Sequence, residues 1–96
     1  MDTNLSERLQ QIFGAYVRQE TLEAAAAEMA DLGRAYPDLD NDFRMTLAEG
    51  IEAARTGDTA ARAVVEKSGY RAPSPADAEL TMTELLRLYE AEFDTP

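Results

Sequence analysis

The chain has 96 residues, a length at which roughly two-thirds of the unfolded surface can be buried, so we expect one helical domain over residues 1–96. It contains neither cysteine nor histidine, which excludes disulfides, thiolate and imidazole nucleophiles, and the usual general base near neutral pH. Nineteen acidic and nine basic residues give a formal net charge of −10, which repels phosphate backbones and anionic lipid and favours a basic partner.

The apolar segments are all too short to span a membrane, and charged residues interrupt the beginning of the chain, unlike a signal peptide. We therefore expect a cytoplasmic protein that contacts neither membrane nor nucleic acid directly. Without histidine or cysteine, any catalysis would have to rest on carboxylates. We expect no enzyme activity, no cofactor and no metal ion.

Two amphipathic helices are predicted in the first third of the chain. Thr3 is a suitable N-cap for the first helix and Thr21 for the second helix. Gly33 is a suitable C-terminal end of the second helix. Whether the two helices fuse across residues 18–20 is open at this point. Apolar residues recur at helical spacing in both: Leu5, Leu9, Ile12, Phe13, Tyr16 and Val17 in the first, and Leu22, Ala25, Ala26, Met29 and Leu32 in the second.

A third helix is predicted after Pro37, beginning at Leu39 with Asp38 as its N-cap, and ending at Thr56-Gly57. Gly50 lies in the middle of its apolar stripe. Because a glycine inside a helix costs about 1 kcal/mol relative to alanine, we expect another helix to approach closely at Gly50.

Two further helices complete the prediction. Asp58 caps a short fourth helix that ends at Ser68-Gly69, and Ser74 and Asp77 form the capping box of the fifth. The fifth helix has its own apolar stripe, composed of Ala78, Met82, Leu85, Leu86, Tyr89 and Phe93. The predicted fold is all-α, a compact antiparallel bundle of four to five amphipathic helices.

The stretch "YPDLDNDFRMTLAE" has the oxygen-ligand spacing of a calcium-binding EF-hand loop. Asp38, Asp40, Asp42 and Glu49 occupy loop positions 1, 3, 5 and 12. Position 6 of such a loop must be glycine, yet Phe43 stands there and also belongs to the third apolar stripe. We interpret the aspartates as a helix start, where the helix dipole stabilises carboxylates, and leave weak ion binding open.

The stretch "ETLEAAAAEMAD" contains E-x-x-E and E-x-x-D pairs, formed by Glu20, Glu23, Glu28 and Asp31. These spacings resemble the magnesium-binding carboxylates of the all-helical nucleotide pyrophosphohydrolases. That family carries its two pairs on separate helices, whereas these four residues fit on one helix, and no cluster of Lys or Arg adjoins them. Glu49 and Glu52 of the third helix could in principle complete such a site, and this enzyme is the least favoured alternative.

Acidic residues are concentrated in two blocks. Residues 20–42 contain seven acids and one base, a sum of −6, and residues 76–96 contain six acids and one base, a sum of −5. None of Glu20, Glu23 and Glu28 has a Lys or Arg four residues later, so local helix pairs do not offset their repulsion. This acidic face is either a solvated surface or a docking surface for a cationic protein.

In size, acidity, helical make-up and lack of catalytic residues, the chain resembles the small acidic immunity proteins of bacterial toxin systems, of contact-dependent inhibition or colicin type. Tyr36-Pro37-Asp38 is similar to a local motif of the colicin-nuclease immunity proteins. The resemblance implies one-to-one binding that neutralises a basic, nuclease-type toxin. The expected contact residues are Glu20, Glu23, Glu28, Asp31, Tyr36, Asp38, Asp40 and Asp42.

The alternative function is that of a homo-oligomeric structural or regulatory helical protein. Leu80 and Leu88 lie beside the main apolar stripe of the last helix and could form its interface or the edge of the core. We expect a monomer or a weak homodimer.

Overall fold

The computed structural model describes residues 1–95, and its elements are α-helices joined by short connections, with one π-helical turn. No strand occurs within these residues. The predicted all-α class and the compact packing of five helices are confirmed, with a Cα radius of gyration of 12.2 Å. The elements are α1 (Thr3–Ile12), the π-helical turn (Phe13–Val17), α2 (Leu22–Ala35), α3 (Pro37–Arg55), α4 (Thr59–Lys67) and α5 (Pro75–Phe93).

Three of the predicted helix starts are confirmed by side-chain caps. The Thr21 hydroxyl accepts from the Ala24 N–H at 3.0 Å, and the Asp58 carboxylate accepts from the Ala60 N–H at 2.8 Å. Ser74 and Asp77 form the predicted capping box, in which the Ser74 N–H donates to Asp77 Oδ2 at 3.0 Å. Each cap satisfies amide groups that have no partner within the helix.

Two predicted N-caps are wrong by one or two residues. Asp2, not Thr3, caps α1, because its Oδ1 accepts from the Leu5 N–H at 2.7 Å. Tyr36 occupies the N-cap position of α3, without a side-chain cap, and Pro37 follows at the first helical position, where its missing N–H costs nothing. Asp38 therefore lies inside the first turn of α3.

The predicted stop at Gly33 is also wrong, since α2 continues to Ala35. Tyr36 ends the helix because it precedes Pro37, and a residue before proline is disfavoured in the α conformation. Its φ of −132° and ψ of 94° are extended. Gly33 is buried within α2 for a different reason, namely contact with other helices.

The first two helices do not fuse. The Arg18 N–H donates to the Phe13 carbonyl at 2.9 Å, which closes the wider turn of a π-helix. Gln19 then adopts a left-handed conformation with φ of 62°, and the chain turns into α2. The π-helical turn and the left-handed Gln19 therefore separate α1 from α2, with no glycine or proline among residues 18–20.

The core is centred on α5, which packs mainly against α2 and α3. Its side chains Met82, Leu85 and Tyr89 are fully buried. Phe43 of α3 lies between two tyrosines, with its ring centroid 5.6 Å from that of Tyr16 and 5.8 Å from that of Tyr89, both edge to face. Such aromatic pairs add to the free energy gained by burial.

Close helix packing at Gly50 is confirmed. A Cβ atom at this position would lie 2.9 Å from both Leu9 Cδ2 and Met82 Sδ, closer than van der Waals contact allows. Both neighbouring side chains are fully buried. The glycine therefore lets α3 approach α1 and α5 closely.

We predict that Gly33→Ala lowers the free energy of unfolding by about 1–3 kcal/mol, more than the gain in helix propensity returns. The nearest atom to the added methyl group would be the Tyr89 hydroxyl, with Asp40 Cβ next at 3.3 Å. The penalty should therefore shrink in a Tyr89→Phe background, as measured by urea unfolding in a double-mutant cycle. Tyr70→Phe, which removes a hydroxyl elsewhere, is the matched control, and an equal reduction of the penalty in both backgrounds would refute the proposed contact.

Candidate acidic docking surface

Four acidic residues lie outside the core, three on α2 and Glu20 just before its N-cap Thr21. Glu20, Glu23, Glu28 and Asp31 are all exposed. The other side of the helix carries its buried residues, Ala25, Ala26, Met29, Ala30 and Gly33. The helical period of 3.6 residues separates the two sets, so the carboxylates are free of the packing that holds α2 in place.

The acidic side of α2 leads directly to the start of α3, because Tyr36 is the single residue between them. Tyr36 is 59% exposed, an unusual position for a large aromatic side chain. Asp38 is exposed and Asp42 is partly buried. We call the set of Glu20, Glu23, Glu28, Asp31, Tyr36, Asp38 and Asp42 the acidic surface.

Most carboxylates of the acidic surface form no ion pair. Within residues 1–95, five of them form no ion pair, namely Glu20, Glu23, Glu28, Asp38 and Asp42. Asp31 pairs with Arg34 at 3.0 Å, but the Asp31 side chain remains 80% exposed. An exposed pair of this kind contributes little stability, so Asp31 is also accessible to a partner.

Asp40 has a different environment from the other predicted contact residues. Its Oδ1 accepts a hydrogen bond from the buried Tyr89 hydroxyl at 2.6 Å and another from Arg44 Nε at 2.7 Å. Burial raises the pKa of Asp40, but the bonds from Tyr89 and Arg44 outweigh it and leave the pKa below its ordinary value. Asp40 thus connects α3 to α5, and we do not include it in the acidic surface.

Arg44 extends this network toward the end of α5. It forms an ion pair with Glu90 at 3.2 Å, and its guanidinium lies 4.9 Å from the ring centroid of Phe93 and 5.3 Å from that of Tyr89. The bond with Asp40 is the main reason that the pKa of Arg44 is raised. Sequence reasoning missed this network, although the i, i+4 spacing of Asp40 and Arg44 is a signal that could have indicated half of it.

Asp42 lies on the opposite side of α3 from Asp40. It lines a cavity of about 280 Å³ between α3 and the end of α1. Tyr16 and Leu39 also line it, and Phe43 is at its base. Arg8 stands at its edge, held by Glu49 at 2.6 Å. An apolar cavity with a carboxylate at its edge suits a long cationic or aromatic side chain of another protein.

The stretch from Asp38 to Glu49 is helical, as interpreted, so its four carboxylates are distributed around α3. Asp40 bonds to Tyr89, and Glu49 pairs with Arg8. In the described part of the chain, no three acidic residues are grouped so that they could hold a metal ion. Glu23, Glu28 and Asp31 likewise lie on one helix, α2, but Glu20 precedes the N-cap Thr21, so the prediction that all four share a helix is wrong for Glu20. Glu52 of α3 pairs with Arg55 at 2.9 Å.

The helices of residues 1–95 include none that is both long enough and apolar enough to span a bilayer. Comparison with models of known protein families, with curated proteins and with solved structures found no match to this chain.

We predict that Asp40→Asn lowers the free energy of unfolding by about 1–3 kcal/mol at pH 7, because two hydrogen bonds to a carboxylate are weakened. The pKa of folded Asp40 lies below the ordinary value of 3.8. Its ionised form therefore stabilises the fold above pH 3.8, and this contribution disappears as the pH falls through the folded-state pKa.

The measurement is chemical unfolding of the wild type and the variant between pH 7 and pH 3. Asp42→Asn is the matched control on the same helix and should change the stability by no more than about 0.5 kcal/mol. A stability difference between wild type and Asp40→Asn that stays constant down to pH 3 would contradict the assignment.

Proposed function

We propose that this chain is an acidic protein-binding module that acts in the cytoplasm as an immunity or inhibitor protein. In this proposal it neutralises a basic, nuclease-type toxin by binding it directly, without a cofactor and without catalysis. The observation that carries the proposal is the set of five carboxylates just before α2, along α2 and in the first two turns of α3 that form no ion pair within residues 1–95.

The second acidic block of the chain supports this interpretation by contrast. In α5, Glu79 pairs with Arg55 at 3.2 Å, Glu90 pairs with Arg44 at 3.2 Å, and Glu84 pairs with Arg87. Asp77 belongs to the capping box. Most acids of α5 thus have an internal role or partner, whereas most acids of the acidic surface do not. Bringing a cationic protein to the acidic surface would relieve the repulsion among its carboxylates.

Two features of the acidic surface would contribute to binding in addition to its charge. Tyr36 is exposed at the junction of α2 and α3, and tyrosine is among the residues that contribute most to protein interfaces. The cavity beside Asp42 provides an apolar recess next to a carboxylate. Charge would accelerate encounter with a basic partner, and these two sites would hold the complex once formed.

The homo-oligomer alternative has weaker support. Leu80 is 69% exposed, but Leu88 packs in part against the core, so the two do not form one apolar row on the surface. A single exposed leucine is ordinary for a monomer. The arrangement of α5 therefore favours a monomer that binds a different protein.

We predict that reversing single charges of the acidic surface weakens binding to the cognate toxin. The variants are Glu23→Lys, Glu28→Lys, Asp38→Lys and Asp42→Lys, and the control is Glu7→Lys, an exposed residue of α1 that changes the net charge equally. A reversal at the interface should raise the Kd about tenfold or more, since it removes an attraction and adds a repulsion.

The toxin is sought among basic proteins encoded beside this chain, and binding is measured by isothermal titration calorimetry at low and high salt. Co-expression should also protect cells from that toxin. The proposal fails if no basic neighbour binds, or if Glu7→Lys weakens binding as much as the four surface variants do.

A further inference from the structure

A second cavity, of about 310 Å³, lies between the π-helical turn and the last turn of α4. Phe13 and Val64 give it an apolar base, and Gln10 and Ser68 contribute polar atoms to its wall. Two cationic side chains, Arg18 and Lys67, complete the lining. A volume of this size is at the lower limit of cavities that hold small molecules.

The cations of this cavity are exceptions in the chain. Of its nine Lys and Arg residues, six form ion pairs within residues 1–95, which leaves three without one: Arg18, Lys67 and Arg71. Two of these three line the same cavity. A chain with nineteen acidic residues does not lack carboxylates to pair with them. The arrangement therefore leaves two positive charges available to a ligand.

Gly14 in the wall of the cavity has no role in packing or turning. A Cβ atom there would meet no atom within 4 Å, and its φ is not positive. Each of the other four glycines either is approached closely or has a positive φ. Glycine inside a helical turn costs roughly 0.5–1 kcal/mol relative to alanine. Its effect at this position is to keep the wall of the cavity free of a side chain.

The backbone that carries Arg18 is also unusual. The π-helical turn ends at Val17, Arg18 leaves it with φ of −56° and ψ of 121°, and Gln19 is left-handed. A non-glycine residue in that region costs of order 1–3 kcal/mol, and π-helical turns frequently occur at functional sites. This geometry ends the helix at the edge of the cavity and presents Arg18 to it.

We propose that this cavity binds a small anion with an apolar body, that is, a carboxylate or phosphate monoester of an aromatic or short aliphatic group. Arg18 and Lys67 bind the anionic group, because guanidinium and ammonium groups form charge-assisted hydrogen bonds with such oxygens. The apolar body packs on Phe13 and Val64 beside Gly14. The inference does not rest on the proposed toxin binding, since none of the residues that line this cavity belongs to the acidic surface.

The experiment is a titration of the uniformly ¹⁵N-labelled full chain at low salt, followed by two-dimensional NMR. The probes are benzoate, phenyl phosphate, inorganic phosphate and the uncharged benzyl alcohol. We expect saturable shifts of the amide signals of Gly14, Arg18 and Ser68, with a Kd of about 1 mM or tighter for benzoate or phenyl phosphate. Whichever of the two binds more tightly identifies the anionic group.

Variants distinguish the contribution of the cavity's charge to binding from the contribution of its shape. Arg18→Gln and Lys67→Gln should each raise the Kd about fivefold or more, whereas Arg71→Gln, at the third cation without an ion pair, should leave it within twofold. Gly14→Leu should block binding by filling the cavity while the cations remain, and circular dichroism verifies that each variant folds.

The inference is overturned if neither benzoate nor phenyl phosphate gives saturable shifts at these amides. It is also overturned if benzyl alcohol binds as tightly as benzoate, or if Arg71→Gln has the same effect as Arg18→Gln. None of these outcomes depends on whether the chain binds a toxin.

Discussion

The hydroxyl group of Tyr89 connects three of the five helices. It lies beside Gly33 of α2, where a side chain would collide with it, and it donates to Asp40 of α3 at 2.6 Å. The tyrosine itself belongs to α5 and is fully buried. Burial, followed by the bond to Asp40, raises the pKa of Tyr89, so the hydroxyl remains a donor across the physiological range. We infer that this contact helps to fix the position of α2 relative to α3.

That position determines which carboxylates face solvent. With α2 packed through Gly33 and its buried alanines, the acidic residues of α2 remain exposed to solvent. Tyr36 then becomes an exposed junction between two acidic helix segments. The acidic residues therefore have two roles: Asp40, Glu79 and Glu90 link α3 to α5, whereas five of the six carboxylates of the acidic surface form no ion pair within residues 1–95. The two cations of the cavity beside Gly14 lie outside this arrangement and serve a ligand of opposite charge.

The apolar stripes and most caps were predictable from the sequence because they depend on local spacing. Thr21, Asp58 and Ser74 cap helices in a manner that their immediate neighbours determine. Two predictions failed because the residue has a different role from the one that its residue type suggests locally. Gly33 is a residue type typical of a helix stop, but here it allows close packing. Asp38 is a residue type typical of an N-cap, but Pro37 already begins the helix.

Only some of the residues of the candidate sites could be predicted from the sequence. Acidity along α2 is visible in the sequence, and seven of the eight expected contact residues are exposed or partly buried without a bond to the core. The role of Asp40 depends on Tyr89, which is 49 positions away, and no spacing rule relates them. The cavity of Arg18 and Lys67 likewise requires the π-helical turn to meet α4, a tertiary contact that hydrophobic periodicity does not indicate.

Asp40 is a structural carboxylate, set apart from the acidic surface by its bonds to Tyr89 and Arg44. A ¹³C-detected NMR titration of the side-chain carboxyl groups measures the pKa of Asp40 directly in the folded protein. Burial raises the pKa of Asp40, but the bonds from Tyr89 and Arg44 outweigh it, so we predict a midpoint below 3.8, the ordinary value for aspartate. A midpoint at or above 3.8 would show that these bonds do not outweigh burial in solution and would contradict the role assigned to Asp40.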